Sequence, residues 1–288
     1  MKSDIHWMPA RVTALRDVSA TVREFEITPE SGEAAGHEAG AHLQVQVLVG
    51  APGSGRMQNR SYSVVGAPDG RAWRIAVKRL DEGRGGSLAM WRLAVGDRLL
   101  VSEPQSHFGL DLTAPGYLLV AGGIGITPLV YMAQRLAALA GRSGVPVRML
   151  YGARSESELA YLPDLRQALE PHASASLQAY AGSAAIDFAA EIAALPPGGQ
   201  LYTCGPVPML EAVKRAWAAA GRCCRARPSK CAFRATNSRS PWRRTARCSK
   251  RSRAPAVPQG LDAGAASAAC ARWRCWRSRA RSTTAMFS

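Results

Sequence analysis

The sequence predicts an N-terminal antiparallel β-barrel, then an α/β domain on a parallel sheet, then a basic irregular tail. Three observations carry this. Between Arg11 and Val101, short β-branched segments recur between turn-forming residues, as in antiparallel barrels. From Tyr117 onward, apolar strand-like runs alternate with helical periodicity, the mark of βαβ units and parallel pairing. After residue 222 the composition changes. Residues 1–222 carry 21 Lys and Arg against 20 Asp and Glu, whereas residues 223–288 carry 16 against Asp262 alone.

Taken in order, strands are expected at Arg11–Leu15, Val22–Thr28, Leu43–Leu48, Gln58–Val65 and Trp73–Arg79, with a short helix over Gly86–Leu93. The second part reads as strands Tyr117–Ala121, Val147–Tyr151, Leu177–Ala181 and Gln200–Thr203. Helices fall between and after them, at Thr127–Ala140, Ser157–Leu169, Ile186–Ala194 and Val207–Ala219. The Leu112-Thr113-Ala114-Pro115-Gly116 stretch marks the boundary, so the units are 1–112, 113–222 and 223–288. At 288 residues the chain is long enough for two ordinary cores. It holds no run of about 18 apolar residues, so no membrane span or membrane partner is expected. The start carries an acid and no apolar core, which reads as no signal peptide and a cytoplasmic protein. Six of the seven cysteines sit in the tail and only Cys204 in the body. The net charge of +16 invites a nucleic-acid reading, but the excess is confined to the tail, and no nucleic-acid partner is expected.

The chemistry concentrates in five stretches. Leu118 to Ala121 is an apolar run that breaks into Gly122-Gly123-Ile124-Gly125-Ile126 and then Thr127-Pro128. Threonine is a good N-cap and proline suits a first helical turn. A strand, a glycine turn and a helix start together aim backbone N–H groups at one point, which favours a phosphate. In the barrel, Arg60-Ser61-Tyr62-Ser63 lies on a strand, with Arg60 and Tyr62 on one face and Ser61 and Ser63 on the other. Such an arginine can hold an anion while the ring covers a flat ligand. Lys78-Arg79 ends a strand, and Gly83-Arg84-Gly85-Gly86-Ser87 follows with amides, a cation and a hydroxyl suited to a phosphate. Tyr151-Gly152-Ala153-Arg154-Ser155 closes a parallel strand, where ligands bind in open α/β sheets; Arg154 and Ser155 can meet the adenosine side of a nucleotide. Finally, Thr203-Cys204-Gly205-Pro206 runs from a strand into a helix and puts Cys204 at the same sheet edge.

In this order and spacing, these motifs resemble the ferredoxin–NADP reductase superfamily. The Gly83–Ser87 loop points to its phthalate dioxygenase reductase and vanillate O-demethylase reductase branch, over residues ~8–222. The resemblance implies FMN on the barrel, with Arg60, Ser61, Tyr62 and Ser63 along the flavin and Lys78, Arg84, Gly85, Gly86 and Ser87 toward its phosphate. It implies NADH on Gly122, Gly123, Gly125, Ile126, Thr127, Pro128, Arg154, Ser155, Cys204, Gly205 and Pro206. Cys204 and Ser63 are its catalytic candidates. Hydride passes from nicotinamide C4 to flavin N5, and single electrons then go through a C-terminal [2Fe–2S] domain to a Rieske-type aromatic oxygenase or O-demethylase. FAD in a ferredoxin/flavodoxin reductase lacking an iron–sulfur domain is the alternative, and Arg154 leaves NADPH open.

The tail departs from the family. Cys270 and Cys275 have the x4 ligand spacing, but Ser278 stands where the next ligand belongs, so no metal ligands are expected in this chain. The genetic code offers a reading: a frame shift near residues 220–230. With each codon built from the last base of one and the first two of the next, the junctions beginning at Asp262, Ser267 and Cys270 can all encode cysteine, at x4 and x2 spacing. In the same frame Ser282 to Ser288 plus a stop permits Asp-His-Arg-Asp-Val-Leu-Leu, similar to the segment that follows the clustered ligands in such domains.

Overall fold

The structure, a computed structural model, describes residues 5–50, 55–182, 185–222 and 269–274. Six longer strands, β1 (Trp7–Ser19), β2 (Val22–Pro29), β3 (Ala41–Val49), β4 (Arg56–Ser63), β5 (Trp73–Lys78) and β6 (Arg98–Ser102), form an antiparallel sheet in the order β4-β3-β6-β1-β2-β5. The two-residue β7 (Gln105–Ser106) pairs with β3. A bridge between Val64 and Ile75, with Val65 N–H donating to the Arg74 carbonyl at 2.7 Å, ties the β4 end to β5 and closes the barrel. Alternation does the sorting: β3 buries Ala41, Leu43, Val45 and Val47 and leaves the residues between them half-exposed. Phe25, Ile27, Leu43, Val45, Trp73, Ile75 and Met90 fill the interior. The helix α1 (Gly86–Trp91) follows β5 and buries Met90 in this core. The expected strands are present. β6 and β7 were not separately foreseen, because Arg98-Leu99-Leu100-Val101-Ser102 lacks clean alternation and two residues carry no period.

The second unit is a sheet ordered β10-β9-β8-β11-β12. Its parallel part comprises β8 (Tyr117–Gly122), β9 (Val147–Ala153), β10 (Ala175–Ala181) and β11 (Gln200–Gly205). Helices α2 (Thr127–Ser143) and α3 (Leu162–Leu169) pack with the cluster on one face of the sheet. Helices α4 (Phe188–Ala193) and α5 (Val207–Ala219) pack with the cluster on the other. The central strands β8 and β11 are buried at every position, as a doubly covered parallel sheet requires.

Three expectations need correction. The helix expected over Ser157–Leu169 begins only at Leu162. Glu156–Glu158 is a separate 3₁₀ turn, and Tyr161 sits in the left-handed region at φ 62°. Pro163 is the reason: its ring would clash with the carbonyl four residues back if the helix ran through. Thr127 is not an N-cap, because a 3₁₀ turn over Gly123–Ile126 runs straight into α2 and moves the helix start to Gly122. The tail is not wholly irregular either. Ala269–Arg274 forms β12, antiparallel to β11 with Cys270 opposite Cys204. Backbone pairing at an open sheet edge needs no side-chain pattern, so periodicity gave no warning. The frame-shift reading otherwise falls outside the described residues. Among the described residues, no helix is long and apolar enough to cross a membrane.

The two units share one apolar cluster: Val22, Ala39, Val65 and Ala76 of the barrel are buried with Tyr131, Met132, Leu159 and Tyr161 of the α/β unit. At this seam Gly40, at φ 85°, leaves no room for a Cβ, which would sit 2.2 Å from the Phe108 carbonyl oxygen and 2.6 Å from Met132 Cε. Gly40→Ala is therefore expected to destabilise the protein by about 1–3 kcal/mol. A chemical-denaturation midpoint lowered without a change in slope checks this.

Candidate functional site

The barrel half of the site is the contact between two motifs far apart in sequence. On β4, Gln58, Arg60 and Tyr62 are half-buried, while Asn59 and Ser61 are exposed, as the alternation predicts. The Arg60 guanidinium donates to Gln58 Oε1 and to the Asn59 carbonyl. It lies directly over Gly86, where a Cβ would come 2.4 Å from Arg60 Nε. The Arg60-x-Tyr62-Ser63 stretch and the Gly83–Ser87 loop thus meet, with only a hydrogen atom's space between guanidinium and backbone. Gly85 holds φ 78° ahead of α1, and no side chain caps that helix start. Arg84 is exposed beside it. Burial pushes the Tyr62 phenol up, partly offset by Arg60, so the ring keeps its proton at neutral pH. Ser63 lies opposite His42 on β3.

Two residues assigned to this half have other partners. The Ser87 hydroxyl bonds both the N–H and the carbonyl of Leu80, closing the loop. The Lys78 ammonium pairs with Glu158 at 3.1 Å across the seam between the units.

The α/β half gathers at the carboxyl edge of the parallel strands. Cys204 pairs with Ala121 and Gly122 with Gly152, so the ends of β8, β9 and β11 lie side by side. Contact is at backbone level: a Cβ on Gly125 would stand 2.2 Å from the Cys204 carbonyl oxygen, and one on Gly205 would stand 3.0 Å from the Gly122 backbone. Gly122 in turn abuts Pro206 and Met209. Gly123 differs, with φ 52° and nothing within 4 Å of where a side chain would start. The turn it begins has no side-chain cap. An open, uncapped glycine turn flanked by tightly packed ones is a cradle that a phosphate can enter. Thr127 Oγ1 donates to the Ile124 carbonyl at 3.1 Å, so it braces the turn from behind. Tyr151, which the sequence reading did not single out, donates to the Gly123 carbonyl at 3.4 Å. Arg154 and Ser155 are exposed just past the end of β9. Cys204 is 2% exposed, on the sheet face shared with α2 and the barrel.

Glu24 and Tyr161 were also not foreseen. Glu24 on β2 is 7% exposed, and its carboxylate accepts the Tyr161 hydroxyl proton at 2.7 Å and the Arg16 guanidinium at 3.1 and 3.3 Å. Strand alternation gave no signal, because it marks Glu24 as an outward, solvated position. The face it marks is covered by the other unit. Among the described residues, no three His, Cys, Asp or Glu gather as a metal site.

Residues 119–215 match the family described as the oxidoreductase NAD-binding domain. The chain is 34% identical over 205 residues to the heme-dependent oxidative N-demethylase beta subunit of Ectopseudomonas mendocina (strain ymp), covering 70% of this chain and 62% of that one. It is 42% identical over 182 residues to the phenoxybenzoate dioxygenase subunit beta of Ectopseudomonas oleovorans, covering 62% and 53%. Among solved structures it overlays phthalate dioxygenase reductase with a TM-score of 0.63 at 30% identity, covering 74% of this chain and 64% of that one. That protein is described as a modular structure for electron transfer from pyridine nucleotides to [2Fe–2S]. The chain thus spans less than two thirds of the length of these relatives.

A closed antiparallel barrel joined to a parallel-sheet unit that matches an NAD-binding family is the fold of ferredoxin–NADP reductase-like proteins, shared with the solved phthalate dioxygenase reductase. The chain's homologues are phthalate dioxygenase reductase and related oxygenase reductase subunits.

Gly125→Ala is expected to force the turn off the Cys204 backbone. Fluorescence titration should show NADH affinity down by at least about tenfold, with a lowered melting temperature.

Proposed function

We propose that this chain is an NAD(P)H-dependent flavin oxidoreductase, the electron-supplying component of an oxygenase system. The observation that carries the reading is the pairing of two independent anion cradles: Arg60 over Gly86 in the barrel, and the open Gly123 turn at the sheet edge. The residues fit a flavin and a nicotinamide nucleotide, since each cradle is built by glycines that a side chain would fill. Arg60, Ser61, Tyr62, Ser63, Arg84, Gly85 and Gly86 would hold FMN. Gly122, Gly123, Gly125, Ile126, Thr127, Pro128, Arg154, Ser155, Cys204, Gly205 and Pro206 would hold NADH. A bound flavin supplies the change from a two-electron hydride donor to one-electron acceptors.

The protein's own share is binding, alignment and exclusion of water. Arg60 neutralises phosphate charge. Tyr62 stays protonated and apolar. Cys204, buried on the seam face, offers a small soft surface against which a planar ring can lie. No side chain need move a proton, so neither Cys204 nor Ser63 is required to titrate. A Rieske-type aromatic oxygenase or O-demethylase in the cytoplasm is the proposed partner. The frame-shift reading of residues 223–288 belongs to the same proposal, supported by the ligand-spaced cysteine codons of the shifted frame.

The test is direct. The purified chain should be yellow and release FMN on heating, as identified by chromatography. It should also oxidise NADH with ferricyanide while reducing cytochrome c poorly beside an intact relative. A colourless protein that cannot be reconstituted with any flavin overturns the reading, and released FAD selects the ferredoxin/flavodoxin reductase alternative. Arg60→Ala should weaken flavin retention about tenfold or more, the loss of one charge-assisted contact.

A further inference from the structure

The outer face of the β2–β5 pair is where the α/β unit docks. Val22 pairs with Lys78 and Glu24 with Ala76, so these four residues line one face of two adjacent strands. The segment that covers them is short: the 3₁₀ turn at Glu156–Glu158, then Leu159, Ala160 and Tyr161. Two of its polar side chains, Tyr161 and Glu158, cross the seam. Tyr161 reaches the Glu24 carboxylate at 2.7 Å, and Glu158 reaches Lys78 at 3.1 Å. Arg16, opposite Glu24 on β1, closes the first contact from the far side and also stands 5.8 Å from the Tyr161 ring centre. Tyr161 is held in the left-handed region, the one non-glycine residue so placed among the described residues. That conformation is strained for a bulky side chain and persists only where surroundings over-determine it. Here it aims the phenol at Glu24.

We propose that Glu24, Arg16 and Tyr161, together with the Lys78–Glu158 pair, form a two-point clasp. The clasp sets the angle between barrel and nucleotide unit, and so the approach of the two bound rings. These are positioning residues. An apolar patch alone lets two surfaces slide and swivel, because burial carries no direction. Two directional contacts at separate points of one patch remove that freedom. Chemistry that depends on alignment is sensitive to it, since a misplacement of about 1 Å can cost up to about a hundredfold in rate. The role in catalysis rests on the flavin–nucleotide reading above; the clasp itself does not.

The experiment uses the full chain with Tyr161→Phe, which removes one hydroxyl and keeps the packing, and Glu158→Gln, which opens the outer point. Two readouts separate the questions. Hydrogen–deuterium exchange without cofactors should rise in residues 22–26 and 156–162 for Tyr161→Phe. In stopped flow, flavin reduction at saturating NADH should slow about tenfold or more, while the dissociation constant for NADH moves less than about twofold. The double variant should be slower than either single one. Unchanged exchange in both variants overturns the clasp. Raised exchange with an unchanged reduction rate leaves a stabilising contact and overturns the positioning role. If the wild type takes up no flavin, the functional reading fails by itself, and the exchange data still decide whether the clasp exists.

Discussion

The contact on which the site depends is backbone against backbone, where the turn after β8 leans on the end of β11. Gly125 and Gly205 bring these segments closer than any side chain allows, with the Cys204 carbonyl 2.2 Å from where a Gly125 Cβ would be. Because those two strands are neighbours in a parallel sheet, their carboxyl ends open on the same side, and the glycine turn and Cys204 share one edge. Packing three of the four glycines leaves Gly123 alone facing open space. The cradle follows from what its neighbours cannot accommodate.

The barrel solves the corresponding problem with a side chain. Arg60 lies flat on Gly86, so its charge is delivered to the start of α1 without a loop having to fold around it. The ion pair that takes up Lys78 illustrates the economy of the design. A cation at the end of β5 could add charge to the proposed anion cradle, and the structure pairs it with Glu158 on the other unit. Half-buried pairs of this kind contribute little stability and considerable orientation. The seam thus carries directional contacts at separate points around an apolar patch, a pattern suited to registering two rigid bodies.

Much of this was legible in sequence. The fold class followed from the change of period at Tyr117, and the glycine and arginine motifs could be picked out because few residue types suit a turn that tight. Glu24, Tyr161, Glu158 and Tyr151 were not legible. Each acts through a partner supplied by a different element, and no local period records that. Pro163 did signal a helix boundary that was read past. The edge strand at Ala269–Arg274 was invisible for a different reason: it is defined by the open edge of β11, not by its own residues.

A site with no proton to move places its whole burden on geometry. On the proposed function, the distance between two rings on two separate units is the variable that the fold must control. A buried carboxylate held by a phenol and a guanidinium is an expensive way to glue two domains, since an apolar residue of like size would do as well or better for stability alone. Glu24 makes sense where direction is needed. A hydrogen bond to Tyr161 tolerates a few tenths of an ångström and a few tens of degrees, and apolar contact between Val22, Ala76 and Leu159 tolerates much more. The strained backbone at Tyr161 then reads as the cost of aiming that bond, placed at the junction where alignment matters most.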